Sequence, residues 1–166
     1  TFDMSAAGAA SFNDDVTVGD DLFLASDSSR IFFGAGNDVL LTHIHDSGLR
    51  LTHGGSGDNL PVVFQLKSEE NEIVANEVIG SLEFAAGDSD GTDGATVAAG
   101  IHAIAEGTFS ASANATKLVF TTGVSETAAS SATAKMTLSS AGLLTIADDF
   151  VIKDGGTIGS ASDTDA

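Results

Sequence analysis

The sequence contains no cysteine, tryptophan or tyrosine and only a single proline. The lack of cysteine excludes disulfides, thiolate metal sites and cysteine nucleophiles. Cations are also scarce, since 6 Lys and Arg residues stand against 24 Asp and Glu residues, which gives a formal net charge of −18. Nucleic acids and anionic membranes require clustered cations on a protein, so both are excluded as partners.

Long apolar segments are missing as well. No run reaches the roughly 20 residues that span a membrane as a helix, and no basic segment followed by an apolar one opens the chain. We therefore expect neither membrane insertion nor a signal peptide. A chain that starts at Thr1 and ends in a Ser- and Asp-rich run is expected to be an excerpt of a longer polypeptide.

Glycine and small polar residues are abundant and separate short apolar segments. The 19 glycines, together with Ser, Thr and Asp, are typical of turns. Between them, apolar and polar residues alternate with period two, which is typical of strands. In the segment 77–84, β-branched residues favour a strand over the helix that the nearby glutamates would support. The sequence therefore predicts an all-β fold, with strands near residues 16–18, 22–24, 49–51, 77–84, 101–105, 118–120, 136–138 and 146–152.

Two segments at opposite ends of the chain are similar to each other. Residues 4–18 and 138–152 share Ser, Ala, Gly and paired Asp residues at matching positions. Each copy predicts a strand, an Ala-Gly turn, a strand, an Asp-Asp turn and a further strand. A unit repeated at both ends predicts a shaft interrupted by an inserted module. We therefore divide the chain into shaft-like strand and turn repeats at 1–61, a β-rich module at 62–125 and a shaft-like repeat at 126–166.

Bulky apolar side chains are too few for one chain to close a large core. Ala, Gly, Ser and Thr dominate, and large residues occur singly at alternate positions. Such units need neighbouring repeats or neighbouring chains to cover their apolar faces. Strands from several chains around one axis would bury the apolar residues and leave the acidic ones outside, where they keep a long particle soluble. The composition therefore predicts association of several copies of the chain.

Three segments in this order resemble motifs of bacteriophage tail-fibre and structural proteins, especially those of marine phages. They are residues 31–51, which begin Ile-Phe-Phe-Gly-Ala-Gly-Asn-Asp, residues 80–88, and residues 104–147, which contain Leu-Val-Phe and Met-Thr-Leu-Ser-Ser-Ala-Gly. The resemblance implies an elongated, parallel homotrimeric β-fibre with β-helical or β-prism shaft repeats, located in the virion tail and extracellular after release. It implies other copies of the chain, other tail proteins and a host receptor as partners. It implies neither a cofactor nor an enzymatic activity.

Two other functions are alternatives to the fibre. The first is a secreted bacterial adhesin or a calcium-binding β-roll segment, because residues 34–40 fit the Gly-x-Gly-x-Asp-x-Leu nonapeptide pattern. The related segment 54–60 begins 20 residues later, which is not a multiple of nine, so a hairpin turn is favoured. Three Asp residues in 88–94 favour a solvated loop over a calcium site. The second and more distant alternative is an enzyme that degrades surface polysaccharide, although no Gly-x-Ser-x-Gly motif occurs.

The histidines are the remaining candidates for a site. His43 and His45 are two residues apart, so a strand would place both on one face. In a trimer, six imidazoles would meet at the axis and suit a transition metal. The competing interpretation is that both face water, and His102 is expected on a half-exposed strand face. We assign no catalytic, cofactor-binding or metal-binding residue from the sequence.

Overall fold

A computed structural model describes residues 12–85, 96–123, 127–152 and 154. The chain divides into two compact units, Thr1–Phe64 and Gln65–Ala166. The described residues contain strands and no helix, which confirms the predicted all-β class. No helix among them is therefore long and apolar enough to cross a membrane. The strands are β1 (Arg30–Phe33), β2 (Val39–Ile44), β3 (Gly48–His53), β4 (Val78–Ala85), β5 (Val97–Ala105), β6 (Thr116–Thr122), β7 (Met136–Leu138) and β8 (Leu144–Ile146).

The first unit contains a three-stranded antiparallel sheet in the order β1-β2-β3. Phe33 pairs with Val39, so residues 34–38 form the hairpin loop between β1 and β2. Within this loop Gly34 has a φ of 85° and Asn37 has a φ of 56°. These left-handed conformations are the ones that Gly and Asn adopt most readily. The hairpin turn predicted for this segment is confirmed, and its antiparallel strands differ from the parallel coils of a calcium β-roll.

The second unit contains a five-stranded antiparallel sheet in the order β4-β5-β6-β7-β8, so each strand pairs with the next one along the chain. The Ala-Gly turn predicted in the 138–152 segment joins β7 to β8. There Gly142 has a φ of 79°, and its N–H donates to the Ser139 carbonyl at 3.0 Å. The predicted order of strand, turn and strand is therefore confirmed in this copy as far as Ile146.

Three of the predicted strand segments are wrong. Residues 16–18 and 22–24 are irregular and exposed, and so are residues 150–152 of the predicted strand 146–152, of which only Ile146 lies in a strand. A strand needs a neighbour that accepts and donates its backbone hydrogen bonds, and no described segment pairs with these three. Alternation of apolar and polar residues is thus not enough to form a strand where no partner strand is present.

Some predictions fall outside the described residues. Residues 4–11 of the first repeat and the acidic segment 88–94 lie there. The five-stranded sheet itself extends from residue 78 to residue 146 and so includes residues on both sides of position 125. The division of the chain into shaft, module and shaft stays a prediction.

The buried apolar part of the described structure is small and lies in the second unit. It consists of Ile104, Ala105, Val119 and Ala128. Ala128 belongs to the segment after β6, and its N–H donates to the Val97 carbonyl at 2.6 Å. This segment covers one face of the five-stranded sheet, and the two faces therefore have different surroundings.

Candidate functional site

One face of the five-stranded sheet is apolar across all its strands, and we call it the apolar face. Side chains alternate between the faces along a strand, and residues paired in register share a face. Two complete rows can therefore be followed from β4 to β8. The first row is Leu82, Ile101, Phe120, Met136 and Ile146, and the second is Gly80, Ala103, Leu118, Leu138 and Leu144.

The apolar face is partly open to solvent, and four of the ten residues in its two rows are exposed. Leu82 is 50% exposed and Leu144 is 52% exposed, and Leu118 and Leu138 are each 39% exposed. Phe84, on the same face of β4, is 53% exposed. Single exposed apolar residues are ordinary, but contiguous apolar patches on a protein surface mark interaction sites. The contiguity of these rows makes the apolar face the candidate functional site.

A shallow groove of about 210 Å³ lies on this face beside β4. Leu66 and Leu118 are among its lining residues. The lack of a side chain at Gly80 makes room for Leu66, because a Cβ at Gly80 would lie only 3.3 Å from the Leu66 Cβ, which is a tight contact. The segment before β4 therefore covers only one border of the apolar face.

The opposite face of the same sheet carries a buried polar network. The Thr121 hydroxyl donates to the Ala128 carbonyl. Its oxygen therefore accepts from His102 Nε2 at 3.0 Å, which leaves His102 Nδ1 to accept from the Ser81 hydroxyl at 2.8 Å. The network joins β4, β5 and β6 to the segment that covers them, and every member has a partner.

The environment of His102 indicates a structural role for this network. A serine hydroxyl that donates to an imidazole is also the arrangement of a nucleophile and its base. Here, however, the His102 side chain is fully buried at 0% exposure, so a substrate has no access to the ring. The prediction that His102 lies on a half-exposed face is wrong, because the segment around Ala128 closes over this side of the sheet.

Glu106 ties the turn after β5 to the turn between β7 and β8. The Ser140 N–H donates to Glu106 Oε2 at 3.1 Å. Hydrogen bonds from the Ser140 hydroxyl and N–H, with a smaller contribution from the charge of Lys117, lower the pKa of Glu106 from its ordinary value of 4.5. A lowered folded-state pKa means that this contact stabilises the fold above the ordinary pKa and is lost as the pH falls through the lowered value.

The histidines of the first unit have different surroundings. His43 is half-buried in β2 opposite Leu49, whereas His45 follows the strand and is exposed. Their ring centroids are 6.4 Å apart. The nitrogens of His45 lie 3.3 Å from Asp27 Oδ1 and 3.3 Å from Asp46 Oδ2. The exposure of His45 and its two acidic neighbours agree with the solvent-facing interpretation for this residue.

His53, for which the sequence indicates no partner, accepts a hydrogen bond at Nδ1 from the Gly55 N–H at 3.1 Å. This contact fixes the chain where β3 ends. Among the described residues, no group of three or more His, Asp or Glu side chains lies close enough to hold a metal ion.

No protein-family model matches this chain, and no curated protein is detectably similar to it.

Proposed function

We propose that this chain is a structural segment of a homotrimeric bacteriophage tail fibre that serves attachment to the host. The motifs in residues 31–51, 80–88 and 104–147 support this proposal, as does the all-β fold. In this role the chain carries no enzymatic activity of its own. Its work is to associate with other copies and to hold an adhesive surface away from the virion.

The observation that carries the proposal is the apolar face. Leu82, Phe84 and Leu144 are each about half exposed, and completing the burial of one such side chain contributes about 1 kcal/mol. Two apolar rows that cross five strands therefore favour association strongly. A trimer buries three such faces around one axis and needs no further core within each chain.

The distribution of charge supports the same assembly. The two rows of the apolar face contain no charged residue, although the whole chain carries a formal net charge of −18. Because side chains alternate between the faces, Glu83 of β4 and Lys117 of β6 lie on the face opposite the apolar face. Copies that meet through their apolar faces therefore avoid placing like charges in the interface, where they would be costly.

Two neighbouring residues of β8 provide a matched test. Leu144 lies on the apolar face, whereas Thr145 pairs with Thr137 on the opposite face and is also exposed. We expect Leu144→Asp to dissociate the trimer, because three carboxylates would be buried in its core. Thr145→Asp adds the same charge to the same strand and should leave the trimer intact. Sedimentation velocity on the full chain measures both outcomes.

A compact folded monomer of the unmodified chain would contradict the trimer, and so would a stable dimer. Equal dissociation by Leu144→Asp and Thr145→Asp would contradict the apolar face as the interface, since it would show a general effect of charge on β8. Circular dichroism of both variants separates dissociation from loss of the strands.

A further inference from the structure

One face of the three-stranded sheet carries the only two arginines of the chain in one cross-strand row. Arg30 of β1 and Arg50 of β3 both pair with Thr42 of β2. Residues paired across a strand have Cβ atoms about 5 Å apart, so the two arginine Cβ atoms are about 10 Å apart. Both guanidinium groups can therefore reach one anion above Thr42. This concentration of charge is unusual in a chain with 6 cations and 24 acidic residues.

The acidic residues nearest in sequence do not neutralise this row. Asp27 precedes Arg30 and Asp46 precedes Arg50, yet both carboxylates contact the ring of His45. In the part of the chain that the structure describes, no carboxylate oxygen lies within 4.0 Å of either guanidinium. Both guanidinium groups therefore keep their hydrogen-bond donors available to a ligand, and Arg recognises carboxylates and phosphates through two parallel bonds.

An aromatic platform lies beside this row. Phe32 is two residues from Arg30 on the same face of β1 and is 46% exposed. The Arg30 guanidinium carbon lies 5.2 Å from the centroid of the Phe32 ring, which holds the cation over the aromatic face. In the next cross-strand row, Phe32 is followed by Leu40 and Thr52. A ring with an apolar face and hydroxyl groups could pack on this row while its acidic group reaches the arginines.

We propose that Arg30, Arg50 and Phe32, on either side of the buried Thr42, form a binding site for a carboxylate-bearing sugar. The carboxylate lies between the two guanidinium groups, and the sugar ring packs on the part of Phe32 that the Arg30 guanidinium leaves exposed. This site lies on the three-stranded sheet, whereas the proposed trimer interface lies on the five-stranded sheet, so the site does not depend on the trimer. It gives the chain a direct contact with an acidic glycan, in addition to its structural role.

The probe is sodium glucuronate, with glucose plus sodium chloride at equal ionic strength as the reference. We expect saturable binding of glucuronate to the full chain, measured by saturation-transfer NMR on the ligand, and no saturable binding of glucose. Arg30→Gln and Arg50→Gln should each weaken binding on the order of tenfold, because each removes a charge-assisted pair of hydrogen bonds. Phe32→Ala should weaken glucuronate binding but leave binding of acetate unchanged, since acetate has no ring to pack.

Lys67→Gln is the matched control. It removes one exposed positive charge, at a lysine that contacts Glu69 at 2.6 Å in the second unit, and should leave glucuronate binding unchanged. Equal weakening by Lys67→Gln would overturn the site, because it would show a response to net charge alone. A shift of the arginine variants to a smaller oligomer in sedimentation would also overturn it, because the guanidinium groups would then bind carboxylates of another copy. Absence of glucuronate binding has the same consequence and leaves the trimer proposal unaffected.

Discussion

At the residue scale, the chain of hydrogen bonds from Ser81 through His102 and Thr121 to Ala128 holds three strands and their covering segment together. A buried network with every member paired fixes one register, whereas a partly paired network is costly. Removing His102 tests this difference directly, because the Thr121 hydroxyl is buried and the Ser81 hydroxyl partly buried, and both lose a hydrogen-bond partner.

We expect His102→Ala to destabilise the fold by about 3 kcal/mol, because it leaves a cavity and removes two hydrogen bonds, the one that the Ser81 hydroxyl donates and the one that the Thr121 oxygen accepts. Urea unfolding at a fixed protein concentration measures this change as a lower midpoint. His45→Ala is the control, since His45 is exposed and its contacts with carboxylates are worth little at the surface. Equal midpoints for the two variants would show that the network contributes nothing specific.

The sequence predicts which residues share a face with His102 but not that this face is covered. The alternation of Ile101, His102 and Ala103 places the histidine opposite its neighbours, as the structure has it. The burial of His102 depends on the position of Ala128, which is distant in sequence. Ala128 contributes its backbone carbonyl, rather than a side chain, to the hydrogen-bond network. The arginine row is hidden for a related reason, because Arg30 and Arg50 meet only once the register of β1, β2 and β3 is known.

At the scale of strands and turns, local pattern predicts most of the second sheet. Alternation indicates the segments that become β4 to β8, and the Ala-Gly turn between β7 and β8 forms as predicted. The same alternation fails at residues 16–18 and 22–24, which have no partner strand among the described residues. A strand forms only where a second segment pairs with it, so the pattern of a single segment does not predict whether that segment becomes a strand.

Gly142 and Gly107 allow a test of the turn. A Cβ at either position would meet no atom within 4 Å, but Gly142 alone has a positive φ. We expect Gly142→Ala to destabilise the fold by about 1 kcal/mol through backbone strain, measured by urea unfolding. Gly107→Ala should be neutral or stabilise by roughly 0.4–1 kcal/mol, because it reduces the freedom of the unfolded chain. The same loss of stability in both variants would contradict the strained turn.

At the scale of the whole molecule, assembly through apolar faces is expected to be independent of metal ions. The Gly34 loop closes an antiparallel hairpin, and the described residues hold no cluster of metal-ligating side chains. We therefore expect the same Tm in EDTA and in calcium, measured by circular dichroism on the full chain. A lower Tm in EDTA that calcium restores would favour the calcium-binding β-roll alternative, whose loops fold with their metal.

The connection of every strand to its sequence neighbour has a consequence for folding kinetics. In both sheets each strand pairs only with its neighbours along the chain, so no strand pairing joins distant parts of the chain, and proteins with more local contacts fold faster. Each hairpin can therefore pair as soon as its second strand leaves the ribosome. In the proposed trimer the slow step is then the association of separate chains, and refolding is expected to show a fast phase that does not depend on concentration, followed by a slower phase that speeds up with protein concentration.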